Sequence, residues 1–299
     1  NNGTISLTLA ALSLGIKAGD EVIVPNYTMV ATPNSIQMFG AIPVFVDVEP
    51  ETLCLDIDLV RKAITSKTKA IMLVSSNGRY PDSTISAFEE LSKSSGLFLI
   101  EDSAQSLGSY YPDGRHIGLA GHVGSFSFSA PKIISTGQGG ALVTNDDEVA
   151  GRIRKLKDFG RSGGGNDIHD VIGYNFKFTE LQACIGIEQM KKLPSRIIRK
   201  KEIFERYKLN LQNSSDVSLF KHNLKYTTPW FIDSICKNRD QVQNKLKENN
   251  IGSRHMYPPI NKQLAYNQNF ATPVSDNIGR NGLWLPSAID LTNEEIDRI

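Results

Sequence analysis

The 299-residue sequence has little cysteine, almost no net charge and no long apolar run. Each shortage excludes something. Cys54, Cys184 and Cys236 stand far apart and share no CxxC spacing. An odd, unpatterned count argues against a disulfide framework or a zinc site, so no metal is expected. Reduced thiols in a core are the reading. Lys and Arg number 33 against 32 Asp and Glu, for a formal charge of +1. That balance supplies no field to hold nucleic acid or an anionic membrane, and neither is expected as a partner. No stretch approaches the roughly 18 apolar residues of a membrane span. No signal peptide is recognised, and a cytoplasmic location is expected. The chain opens on Asn1-Asn2-Gly3 without an initiator Met and closes on "LTNEEIDRI", which reads as the start of a helix. Both ends are expected to be trimmed.

What is present is alternation. "TISLTLAALSLG", "TMVATPNSIQMFG", "DIDLVRKAI", "STISAFEELSKSSG" and "DEVAGRIRKLKDFG" read as helices. Between them, "DEVIVP", "IPVFVDV", "TKAIMLVSS", "LFLIED", "GSFSFS" and "GALVTN" read as strands. This order predicts an α/β fold, a mixed, mostly parallel sheet between helices, with ligands outside the carboxyl ends of its strands. "DFGRSGGGNDIHDVIGYN" reads as a Gly-rich mobile loop. Pro194 predicts a helix break, which divides the chain into a large domain, 1–193, and a smaller α+β domain, 194–299.

Candidate chemistry lies at strand ends. "LFLIEDSAQ" finishes a strand on Glu101-Asp102, where Asp102 either pairs with a ring cation or caps the next helix. Lys132 follows "GSFSFS" in a turn of small residues. It is either a surface side chain or a desolvated amine suited to Schiff-base chemistry. A Lys for an aldehyde and an Asp for a ring nitrogen form the layout for pyridoxal phosphate. Gly3 and Thr4 open the first helix, as a phosphate seat or an ordinary N-cap. Ser127 adds a hydroxyl, or is a strand serine facing water.

Taken together, "NNGTISLTLAALSLG", "IEDSAQSLGSYY", "GSFSFSAPKIISTGQGGALVTND" and "HDVIGYNFKFTELQACIGIEQM" resemble the DegT-type sugar aminotransferases, which are fold-type-I pyridoxal phosphate enzymes. These blocks stand in family order between residues 1 and 190, a span of about two-thirds of the chain. The resemblance implies that Lys132 holds the cofactor covalently and Asp102 pairs with its pyridine nitrogen. It implies that Gln105 contacts the ring's phenolic oxygen. Thr4, the backbone at Ile5, and Ser127 would contact the phosphate. Asn175 would reach the phosphate of a second subunit, giving a homodimer with shared active sites. Met29 stands where many members stack an aromatic ring. Asn77, Arg79 and Tyr257 are the candidate substrate contacts. In "MYPPINKQLAY", Asn261 occupies a position where His is common.

The implied activity moves an amino group from glutamate to a keto nucleotide-sugar. The first expectation is C4 of a GDP-, UDP- or dTDP-linked 4-keto-6-deoxyhexose, as in perosamine or viosamine synthesis. The alternatives are a 3-keto sugar, or a non-catalytic regulatory member of the same fold. A related group that removes a sugar hydroxyl carries His where this chain has Lys132, which argues against a dehydratase.

Overall fold

The computed structural model describes residues 1–163 and 167–299. Part of the expected mobile loop, residues 164–166, lies outside the described residues. The elements follow the predicted alternation through the first half. Helix α1 (Gly3–Ser13) leads to β1 (Glu21–Pro25), α2 (Ala31–Gln37) and β2 (Ile42–Val46). Then come α3 (Ile57–Ala63), β3 (Thr68–Val74), α4 (Ile85–Ser95) and β4 (Phe98–Asp102). Strands β5 (Val123–Ser127) and β6 (Gly140–Val143) precede α5 (Asp147–Leu156). Their order across the sheet is β2-β1-β3-β4-β5-β6, parallel except for β6 against β5. β1 and β3 are buried along nearly their whole length. Strands covered on both faces lose the in-out alternation and read as continuous apolar runs.

Local chemistry sets the element ends. Asp56 caps α3 by accepting from Asp58 N and Leu59 N, and Asp146 caps α5 through Glu148 N and Val149 N. Helix α4 stops at Gly96, whose φ of 63° is left-handed and costs a glycine little. One apolar core, including Leu7, Val22, Met72 and Ile100, fills the face covered by α1. A second, including Ile71, Leu73, Phe88 and Leu99, fills the face covered by α4.

Helix α6 (Glu180–Asn210) runs unbroken for 31 residues with Pro194 inside it. The predicted stop therefore does not occur, and the boundary drawn at 193/194 falls within a helix. Proline removes one backbone bond, leaving the Met190 carbonyl without its usual donor. Both residues are exposed, so water can serve that carbonyl. A capping box between Thr179 and Gln182 fixes the helix start. The second half of α6 buries Ile203, Phe204 and Tyr207 against a second sheet.

That sheet comprises β7 (Val217–Leu219), β8 (Ile232–Cys236), and, after α7 (Arg239–Glu248), β9 (Arg254–His255). Helix α8 (Pro273–Asn281) leads into β10 (Gly282–Leu285), and α9 (Asn293–Arg298) follows. The order β7-β8-β10-β9 is antiparallel throughout. The two sheets meet through Tyr27, Val48 and Leu53 on one side and Met256, Ile278 and Trp284 on the other. Cys54 and Cys236 are buried thiols, whereas Cys184 is exposed on α6, against the expectation of three core cysteines. Among the described residues, no helix is long and apolar enough to cross a membrane.

Candidate active site

The loops after β1, β3, β4 and β5 converge at the carboxyl edge of the large sheet. Glu101 and Asp102 are neighbours on β4, so their side chains take opposite faces. Glu101 accepts from the Tyr111 hydroxyl at 2.6 Å and from the backbone of Gly118, Ala120 and Gly121. It is a buried anchor for the chain between β4 and β5. Asp102 takes the other face and lies within charge range of Lys132. No helix follows it, so the cap reading fails. Its carboxylate accepts from Thr32 Oγ1 at 2.8 Å and from Ala104 N at 3.2 Å. Burial raises its pKa; the Thr32 and Ala104 bonds and the Lys132 charge oppose that rise.

Lys132 is half-buried in the turn after β5. Its Nζ lies 3.7 Å from the centroid of the Trp230 ring. Burial lowers its pKa to about 8, with the Asp102 charge opposing. At pH 7 about a tenth of such an amine is neutral and able to attack a carbonyl. Lys132 lines a narrow cleft with Gln105, Ser127, Thr228 and Trp230.

The anion seat forms where α1 meets the end of β5. Asn2, not Thr4, is the N-cap, accepting from Ile5 N at 3.0 Å. Thr4 and Ile5 occupy the first turn, half-buried. A Cβ on Gly3 would come within 2.7 Å of Ser127 Cβ, so glycine permits this close approach. The Ser127 hydroxyl donates to Ser129 Oγ at 3.3 Å. Ser129 was not singled out from the sequence; a second hydroxyl ahead of Lys132 was its only signal.

Gln105 Oε1 accepts from Asn77 N at 2.7 Å. That bond fixes the amide and leaves its NH2 group as the free donor. Asn77 is a left-handed residue, φ 53°, whose Oδ1 accepts from Trp230 N and Phe231 N at 2.9 and 2.7 Å. It ties the loop after β3 to the approach to β8. Arg79, expected at the substrate, is committed elsewhere. Its buried guanidinium pairs with Asp233 and donates to His222 Nε2 at 3.0 Å and to the Thr52 carbonyl at 2.9 Å. Asn261 is also a latch: it bonds Asn26 through side chain and backbone.

Tyr257 packs edge-on against Trp284 at 4.6 Å and beside Tyr27 at 5.9 Å; burial raises its pKa to about 12. Met29 is 45% exposed, with Sδ accepting from Ala31 N. Asn175 is exposed and bridges to Asp158. Among the described residues, no group of three or more His, Cys, Asp or Glu side chains could hold a metal ion.

The donor set fits a phosphorylated pyridine aldehyde. Hydroxyls and a helix N-terminus meet at a glycine cradle, and a desolvated amine lies within charge range of a buried carboxylate. The sequence profile of the DegT/DnrJ/EryC1/StrS aminotransferases matches residues 1–299. GDP-perosamine synthase of Escherichia coli is 37% identical over 300 residues, covering 99% of this chain and 81% of that one. A UDP-2-acetamido-2-deoxy-3-oxo-D-glucuronate aminotransferase of Pseudomonas aeruginosa is 33% identical over 290 residues, covering 95% and 79%. The structure of S. venezuelae DesV in complex with a ketimine intermediate superposes with a TM-score of 0.94 at 32% identity, covering 100% of this chain and 81% of that one. A PLP-form structure from Streptococcus pneumoniae gives a TM-score of 0.91 at 28% identity, covering 100% and 83%. The chain belongs to the DegT/DnrJ/EryC1/StrS family, sugar aminotransferases that depend on pyridoxal 5'-phosphate.

Proposed function

We propose that this aminotransferase moves an amino group from glutamate to C4 of a nucleotide-linked 4-keto-6-deoxyhexose. The observation that carries the transaminase reading is a desolvated Lys132 amine on a cleft with Gln105 and Ser127, near enough to the buried Asp102 carboxylate that each charge acts on the other. The C4 reading is supported by the 37% identity to a GDP-perosamine synthase. The relative whose name specifies a 3-oxo sugar, at 33%, keeps C3 as the second reading.

Bound pyridoxal phosphate supplies an electron sink and an aldehyde that exchanges an amino group between two substrates. The chain supplies everything else. Thr4, Ser127 and the amide end of α1, where Ile5 N donates to Asn2 Oδ1, would hold the phosphate. Asp102, oriented by Thr32, holds a proton at the ring nitrogen. Gln105, its amide turned by Asn77 N, donates to the phenolic oxygen. Freed Lys132 moves a proton between the donor's α-carbon and the cofactor's aldehyde carbon. Met29 would offer the ring a polarizable thioether. Tyr257 and neighbouring aromatics wall the sugar side.

A homodimer completes the proposal. Ile172, Leu181 and Ile187, on either side of Asn175 in sequence, are 88%, 80% and 61% exposed. Apolar side chains so placed suit burial against a second copy, with Asn175 directed to the other site.

The test incubates purified protein and glutamate with a panel of 4-keto and 3-keto nucleotide-sugars, with Lys132→Ala as control. Amination of a 4-keto-6-deoxyhexose only by the unaltered chain is expected. Activity confined to 3-keto sugars transfers the assignment to C3. A protein lacking a borohydride-sensitive visible band, or a Lys132→Ala variant that still turns over, overturns the reading.

A further inference from the structure

Trp230 is held on every polar atom it has. Its N–H donates to Asn77 Oδ1 at 2.9 Å, and its carbonyl accepts from the buried Lys200 ammonium at 2.8 Å. Its indole N–H donates to the carbonyl of Pro131, the residue before Lys132, at 2.7 Å. Its ring stacks on Phe231 at 3.9 Å and 25°. The side chain is 6% exposed, so the indole has no other place to go. The ring face it presents lies 3.7 Å below Lys132 Nζ.

We propose that Trp230 is a positioning residue for Lys132: its ring face is the seat of that amine whenever it is free, and its indole N–H fixes the turn that carries the lysine. An aromatic face attracts an ammonium through its quadrupole and a neutral amine much less. The seat therefore favours the protonated form, against the desolvation that favours the neutral one. The charged groups nearby are Asp102 across the cleft, Lys200 on the Trp230 carbonyl, and Arg196, which donates to the Ile133 carbonyl at 2.8 Å. Asp102 acts in the same sense as the ring. Both cations are engaged by acceptors, Lys200 by the Trp230 and Ser287 carbonyls and Arg196 by the Ile133 carbonyl and Gln189 Oε1. In the proposed reaction the amine is released once per turnover, stays free through both halves, and must return to one place each time it moves a proton. A rigid aromatic floor provides that place without a competing hydrogen bond.

The inference deepens the transaminase reading, since it concerns the same lysine, and its test does not depend on activity. The cofactor-free chain is labelled with trace acetic anhydride at a series of pH values, and the Lys132 peptide is quantified by mass spectrometry. In W230L, which keeps an apolar cover but no ring, the half-reactive pH falls by about one unit, a tenfold change in protonation. In W230F, which keeps a face but not the indole N–H, it falls less than half as far. A polyfluorinated tryptophan at 230 keeps the shape, drains the face of negative potential, and falls between them. If W230L does not fold, the fluorinated chain decides alone. An unmoved profile overturns the proposal. So does an upward shift, which would show that the ring only excludes water. Shifted labelling in a chain that binds no pyridoxal phosphate supports this inference while sinking the functional one; an unshifted profile in a chain with a normal visible band does the reverse.

Discussion

Gly3 and Ser127 approach so closely that a single methyl group does not fit between them: a Cβ on Gly3 would stand 2.7 Å from Ser127 Cβ and 2.9 Å from its hydroxyl. This contact joins the amide end of α1 to the hydroxyl at the end of β5. Gly3→Ala must push them apart, at the roughly 1–3 kcal/mol typical of overpacking. The expected outcome is about tenfold weaker retention of pyridoxal phosphate, in keeping with a strain of that size, and a modest fall in Tm. Fluorescence titration and thermal melting read both. Unchanged cofactor affinity would remove α1 from the phosphate seat.

Asn77 makes a prediction about stability. Its Oδ1 satisfies two buried N–H groups, those of Trp230 and Phe231. Asn77→Ala orphans both and puts alanine at φ 53°. The expected cost is about 2–4 kcal/mol, read as a lower urea midpoint. Asn77→Asp keeps the acceptor oxygen but loses the Nδ2–H donated to the Phe231 carbonyl at 3.0 Å, so it should cost less than alanine without reaching the unaltered chain. Equal losses in the two variants would show that the oxygen is not the working atom.

How much of this was readable in advance depends on the range of the interaction. The alternating strands and helices up to α5 were legible because their signals are local: β-branched runs, caps and glycine stops. Asp102 and Ser127 end strands β4 and β5 as the local patterns predict, and Gln105 and Lys132 sit in the turns that follow. The short β7 and β9, of three and two residues, carry no local pattern and exist only through pairing with β8 and β10. Trp230 carries no local signal of its role: it packs under Lys132 through partners 99 and 153 residues away. Arg79 looked free because its acid, Asp233, lies 154 residues on. Pro194 misled because one lost bond at an exposed position does not end a helix held at its cap and in its second half.

His222 sets the acid limit. Burial, then the Arg79 charge, push its pKa well below the ordinary value. Its Nε2 faces Arg79 and its Nδ1 faces Thr227 Oγ1 at 3.2 Å, so the folded imidazole is neutral and accepts from the guanidinium. The unfolded imidazole takes a proton near pH 6.5. The unfolded state therefore binds more protons below that pH. Stability is full above about 6.5 and falls as pH drops toward the folded value, by up to about 1.4 kcal/mol per unit. Urea midpoints from pH 7 to 5 should decline, and His222→Gln should flatten the decline. A His222→Gln slope as steep as that of the unaltered chain would assign it to other groups.

The Arg79–Asp233 pair decides between a substrate role and a structural one. Both side chains are nearly inaccessible, at 4% and 1%. Asp233→Ala leaves a buried guanidinium without its counter-ion, at about 3–5 kcal/mol. Arg79→Met with Asp233→Leu replaces both charges by apolar groups and should be more stable than Asp233→Ala alone, because no charge is left uncompensated. It will not recover fully, since the Thr52 carbonyl and His222 lose the donor they share. Function follows through geometry. Arg79 lies two residues beyond Asn77, whose N–H orients Gln105. Loosening the pair should weaken cofactor binding before it touches the sugar. A substrate contact would behave differently: Arg79→Lys would raise KM for the nucleotide-sugar at unchanged Tm. A buried forked pair instead predicts a lower Tm with KM unchanged in the folded fraction, because lysine cannot reproduce the two-pronged contact. Melting curves and saturation kinetics on that one variant separate the two roles.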